Sequence, residues 1–199
     1  MINKIKNNKV LSNISWILFG RLFYLALSFM VGLLSARFLG PSNYGLIGYA
    51  AAYTTFFASI CNLGINSVII KEFVDSPNKS GEILGTSIVC RIISSFLSLL
   101  VIIGLCFFID QNEPVTRMVV FLYSISIMFQ TFEVFKYWFQ SKLKSKYVEI
   151  TSTVAYIVMS IYKIILLLTR QDVQWFAVSN SIEFFVVAVL LYILYKKNG

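Results

Sequence analysis

Long apolar stretches alternate with short polar turns along this chain, dividing it into six segments at about 12–38, 45–70, 83–109, 118–139, 148–168 and 173–195. A bilayer core about 30 Å thick is crossed by about 20 residues of α-helix, so each segment is long enough to span it. The turns carry helix-breaking chemistry: Gly40-Pro41-Ser42-Asn43, Asp75-Ser76-Pro77-Asn78, Asp110-Gln111-Asn112-Glu113-Pro114 and Arg170-Gln171-Asp172. None is long enough to fold by itself. The pattern predicts an all-α membrane protein, one six-span helical bundle over residues 1–199. Whatever it does must happen between its helices or at their ends.

Basic residues orient the bundle. Lys4, Lys6, Lys9, Lys71, Lys79, Lys142, Lys144, Lys146, Lys196 and Lys197 fall on one side, and Arg37, Arg117 and Arg170 on the other. The positive-inside rule then places both termini in the cytoplasm. Trp16, Trp138 and Trp175 lie near span ends, where interfacial aromatics belong. The first apolar segment is too long for a secretory signal and is interrupted by Arg21, so a retained first helix is expected.

Composition sharpens this picture. Apolar residues make up 58% of the chain and charged residues 13%, about half the charge of a soluble domain, which argues against a soluble globular enzyme. The net charge of +8 follows the basic loops, so nucleic acid is not an expected partner. With no His, imidazole ligands and His general bases are excluded. Asp75, Asp110 and Asp172 are too far apart in sequence for an aspartate-rich metal motif, and Cys61, Cys90 and Cys106 form no CxxC pair. No metal or cofactor is expected.

The informative residues are the charges inside spans: Arg21, Arg91, Lys136, Lys163, Glu133 and Glu183. A charge at mid-helix costs about 2.5 to 3.5 kcal/mol on insertion scales, so such residues normally face a bundle interior or a wet cavity. Lys136 and Lys163 lie close enough to span ends to snorkel. Arg21 and Arg91 are deeper, about 12 to 14 Å from the cytoplasmic end, and are expected to face a lumen. Neighbours spaced by three and four residues share their faces: Thr55, Ser59, Asn62 and Asn66; Ser87, Arg91, Ser94 and Ser98; Tyr123, Ser126, Gln130, Glu133 and Tyr137; Ser152, Tyr156, Ser160 and Lys163. Hydroxyl stripes alone are common helix-to-helix glue, but a buried Arg or Glu among them favours a wet central cavity. The candidate lumen set is therefore Arg21, Arg91, Asn62, Asn66, Gln130, Glu133 and Tyr137. Glu183 either pairs with Lys163 or is a protonatable coupling site. Ser28, Gly32 and Ala36, and Gly81 with Gly85, are spaced for close helix packing.

The segment Ser35-Ala36-Arg37-Phe38-Leu39-Gly40-Pro41-Ser42-Asn43-Tyr44-Gly45-Leu46 resembles the ARxLGPxxYG junction of bacterial polysaccharide flippases, with upstream agreement at Asn13, Trp16 and Gly20 and downstream at Asn62-Leu63-Gly64. These flippases belong to the multidrug/oligosaccharidyl-lipid/polysaccharide (MOP) exporter superfamily, which also holds MATE-like antiporters. The resemblance implies one six-helix lobe of such a transporter in the bacterial cytoplasmic (inner) membrane. It implies flipping of an undecaprenyl-diphosphate-linked oligosaccharide for O-antigen or a related lipopolysaccharide or surface glycan, by alternating access through a cationic cavity. Arg21 and Arg91 would then meet the diphosphate while the prenyl tail stays in membrane lipid. Members of that family have twelve or more spans in two lobes, so this chain is expected to be the N-terminal half of a longer transporter, or to pair with another membrane subunit. The alternatives are half of a drug or cation antiporter, a membrane enzyme acting on lipid-linked sugars, and a non-transporting accessory subunit. The basic deep set disfavours the antiporter, and the short outer loops disfavour the enzyme.

Overall fold

The structure is a computed structural model that describes the backbone of residues 2–62 and 65–198 and the side chains of 15–62 and 65–197. The side chains of the tail lysines Lys4, Lys6 and Lys9 and of Asn13, together with Leu63-Gly64 and Gly199, lie outside the described residues. Every described element is helical: α1 (Ile2–Asn62), α2 (Ile65–Asp75), α3 (Ser80–Ile109), α4 (Pro114–Ser124), α5 (Ser126–Gln130), α6 (Val134–Ser141), α7 (Ser145–Leu168) and α8 (Val173–Asn198), with single 3-10 turns at Pro77–Lys79 and Thr131–Glu133. The all-α membrane fold predicted from the pattern is the one formed.

The first helix is two spans joined by a sharp kink. Gly40 has φ 73° and ψ 170°, a conformation that side-chain-bearing residues avoid, and Pro41 then opens the second arm where its missing N–H is not needed. A Cβ built on Gly32 would lie 3.6 Å from the Tyr44 hydroxyl. Along a straight helix those residues are separated by about 18 Å of rise, so the chain must double back. Residues 2–39 and 41–62 are thus two arms. After the second arm, α2 runs to Asp75, past Lys71 and Glu72 and beyond the expected end at Ile70. The expected fourth span is built from α4, α5, a 3-10 turn and α6 instead of one regular helix.

The core lies in two apolar clusters at opposite ends of the bundle. Phe73, Leu84, Val134, Phe139, Val148 and Leu191 belong to one. Ala50, Ile102, Val119, Val120, Ile127 and Ala177 belong to the other. The first cluster lies toward the chain termini, where Tyr195 packs on Trp138, Lys144 sits over Trp138 and Lys146 over Trp16. At the other end Tyr49 donates to Asp110 and Phe38 stacks near Phe176. Between the clusters, α3, α5, α7 and α8 contribute buried Arg91, Ser95, Ser126, Ser160 and Ser181, forming a polar middle layer. Lipid supplies no hydrophobic drive between helices, so the bonds within this layer help to join them.

The first arm turns Gly20, Val31 and Ser35 into the bundle. Ser28, Gly32 and Ala36 lie half-buried beside that line. The second expected packing ladder does not pack: Gly81 and Gly85 are exposed, with open space where a Cβ would stand. Small size permits close approach but does not create a partner.

Candidate functional site

The middle layer holds two polar centres. In the first, Arg91 is 7% exposed, and its Nη2 donates to Asn66 Oδ1 at 2.5 Å and to the Tyr137 hydroxyl at 3.5 Å. The guanidinium carbon also lies 5.3 Å from the centre of the Tyr137 ring, within cation–π range. Asn62 and Gln130 join Arg91 around a small cavity of about 10 Å³ that reaches Cys61 and Thr131, room for about one water. Thus Arg91, Asn62, Asn66, Gln130 and Tyr137 come together from five elements, α1, α2, α3, α5 and α6. No carboxylate lies within ion-pair distance of Arg91 among the described residues.

The second centre surrounds Glu183 on α8. Its Oε1 accepts from the Tyr24 hydroxyl of the first arm at 3.0 Å, and the Tyr24 ring lies 4.4 Å from that of Tyr156 on α7. The charges acting on Glu183 are Lys163, Lys136 and Glu133. Lys163 forms no direct ion pair with Glu183 among the described residues, so the carboxylate's direct partner is Tyr24. Glu133 bonds to Lys136 one helical turn away, and both are half-buried. Lys136 is therefore held by a neighbouring acid and is not simply extended toward the span end.

Arg21 stands apart from both centres, exposed on the first arm. Its charge reaches Glu149 on α7, on which Lys136 acts more strongly. Gly20, the preceding residue, is buried against Glu149: a Cβ there would lie 2.8 Å from Oε2 and 3.0 Å from the Glu149 Cβ. Glycine is what lets α7 bring a carboxylate so close to the first arm.

A belt of hydroxyls and amides connects the centres. Ser95 donates to the Ile127 carbonyl and bonds to Thr131, Asn180 donates to Ser126, Ser181 donates to the Leu122 carbonyl, and Thr54 bonds to Ser124. These bonds meet the end of α4 and the interrupted stretch that follows it, capturing the carbonyls of Leu122 and Ile127. The interruption divides the fourth polar stripe, sending Gln130 and Tyr137 to the arginine centre and Tyr123 and Glu133 toward Glu183.

Tyr24, Glu149, Gly20, Ser95 and Thr131 are absent from the sequence-based candidate set. Tyr24 had an available signal, since Gly20, Tyr24, Val31 and Ser35 recur at helical spacing on the arm's inner face. Thr55 and Ser59, expected to share the polar face of Asn62, are exposed, and Ser59 donates to the Thr55 carbonyl of its own helix. Among the described residues no group of three or more Cys, Asp or Glu is placed to hold a metal ion.

The helices and their charged middle layer make this a multi-pass membrane protein. No curated protein and no solved structure matched the chain. The family comparison did match, over residues 10–199, nearly the whole length of the bundle: the chain belongs to the polysaccharide biosynthesis protein family.

Proposed function

We propose that this bundle is one lobe of a flippase that carries an undecaprenyl-diphosphate-linked oligosaccharide across the bacterial cytoplasmic membrane for O-antigen or a related surface glycan. The observation that carries this reading is Arg21, an exposed guanidinium within an apolar span and without a carboxylate in ion-pair contact among the described residues. A guanidinium donates to two phosphate oxygens at once, and in a low-dielectric passage that pairing is strong. Family membership places the protein in polysaccharide biosynthesis. The diphosphate is the part of a lipid-linked sugar that most needs charge compensation inside a membrane.

The residues divide the work by depth and exposure. Arg21 meets the diphosphate. Arg91, buried among neutral groups, adds positive potential to the interior and ties α2, α3 and α6 together. Glu183, held by Tyr24 and acted on by Lys163, is the coupling group: a change in its charge alters the bond that joins the first arm to α8. A second lobe, from the same polypeptide or another subunit, supplies the wall facing Arg21. Rocking between lobes exposes the cavity to each side in turn. Both termini lie in the cytoplasm, and no cofactor takes part.

The test is transport of the lipid-linked glycan in everted vesicles from cells producing the complete transporter. Arg21→Ala should reduce flipping about tenfold at equal protein level, with partial recovery in Arg21→Lys, whereas Arg37→Ala at the span junction should have little effect. Normal flipping by Arg21→Ala would overturn the proposal.

A further inference from the structure

A groove of about 470 Å³ runs between α3 and α4 at the end of the bundle away from the chain termini. Its floor includes buried Ile102 and Cys106, and its sides include Phe107, Met118 and Phe121, which are 60%, 48% and 42% exposed. The groove therefore opens on the outer flank of the bundle, away from the polar middle layer. Arg117, with Pro114, completes its lining. Pro114 opens α4 just after the Asp110–Glu113 turn, which puts Arg117 about 4.5 Å of helix rise inside the span end, at headgroup depth.

Arg117 is held but not neutralised. Its guanidinium carbon lies 5.2 Å from the centre of the Phe107 ring, and no carboxylate is in ion-pair contact with it among the described residues. The two acids of the adjoining turn are engaged elsewhere: Glu113 accepts from the Thr116 hydroxyl at 2.7 Å and Asp110 accepts from Tyr49. An apolar slot facing lipid, with one unpaired cation at headgroup depth, has the chemistry of an amphiphile with a negative head. The wall of Phe, Met and Ile lacks the small residues that let a second transmembrane helix approach closely. We propose that this groove binds one anionic phospholipid, with an acyl chain in the slot and the phosphodiester on Arg117. Such a lipid would clamp the α3–α4 turn from outside and make the transporter respond to the charge of the surrounding bilayer.

Native mass spectrometry of the complete transporter, equilibrated with equal phosphatidylglycerol and phosphatidylethanolamine, tests the site. Wild type should retain one phosphatidylglycerol preferentially. Arg117→Ala should lower that preference about tenfold, as loss of a charge-assisted phosphate contact requires. Met118→Trp, which fills the slot and keeps the cation, should reduce retention of both lipids. A photo-reactive residue at position 121 should give an adduct of lipid mass. An unchanged preference in Arg117→Ala, or a position-121 adduct to another protein or a second copy of the chain, would overturn the proposal.

Discussion

Arg91 carries a full positive charge in the interior of the bundle, and its hydrogen-bond partners, Asn66 and Tyr137, are both neutral. Lys136 lies in the same layer but is joined to Glu133, so that pair contributes no net charge. The difference sets a ranking. Arg91→Ala should lower surface-glycan output in a complementation assay by about tenfold or more, and Lys136→Ala by less, with output normalised to membrane-inserted protein. Arg91→Met separates charge from packing, because it replaces much of the lost volume and leaves no new unpaired acid. Loss of output in Arg91→Met with normal protein accumulation points to the charge, while the reverse ranking of Arg91→Ala and Lys136→Ala would reject the role given to Arg91. At this scale the sequence was a partial guide. Spacing of three and four residues grouped Asn62 with Asn66 and Gln130 with Tyr137, and all four gather around Arg91. It offered no means of placing Gly20 against Glu149, since that contact depends on how two distant helices cross.

Among the elements, legibility followed the presence of strong breakers. Gly40-Pro41, Pro77 and Pro114 mark the first three turns, and the structure turns at each. The irregular centre of the fourth span has no such marker. Between Ser124 and Val134 there is neither Gly nor Pro, and its departure from regular α-helix is met within it by bonds from Ser95 and Asn180 and just before it by the bond from Ser181 to Leu122. That is tertiary information, invisible to local pattern. Gly40 offers the sharpest element-scale test because its surroundings are empty: nothing lies within 4 Å of a Cβ built there, so substitution strains only the backbone. Gly40→Ala should destabilise the bundle by about 1–3 kcal/mol, the usual cost of holding a side-chain-bearing residue in such a conformation. Gly45→Ala is the control, since Gly45 is helical and equally open, and there Ala is the better helix former. Chemical unfolding in detergent should lower the midpoint for the first variant and leave it level or raised for the second. Equal stability of the two would mean that the kink does not need the Gly40 conformation.

Over the whole molecule, the two apolar clusters enclose a polar layer, while most of the outer surface is apolar and suited to lipid. Exposure alone does not say which surfaces are wet. Arg21 and Cys90 are both exposed, yet on the proposed function Arg21 faces a hydrated passage, whereas Cys90, between Val89 and Ile92 on the outside of α3, faces hydrocarbon. Thiol chemistry distinguishes them. The native Cys90 should react with an apolar maleimide that partitions into the bilayer and resist a charged, water-soluble thiosulfonate, because that reagent needs a hydrated thiolate. In a Cys90→Ser background, a cysteine introduced as Arg21→Cys in the complete transporter should react with the charged reagent. Arg91→Cys should be far slower, since the cavity beside Arg91 holds about one water and excludes the reagent until the helices part. Labelling of Cys90 by the charged reagent together with protection of position 21 would reverse the assignment, placing lipid against the first arm and the aqueous path against α3.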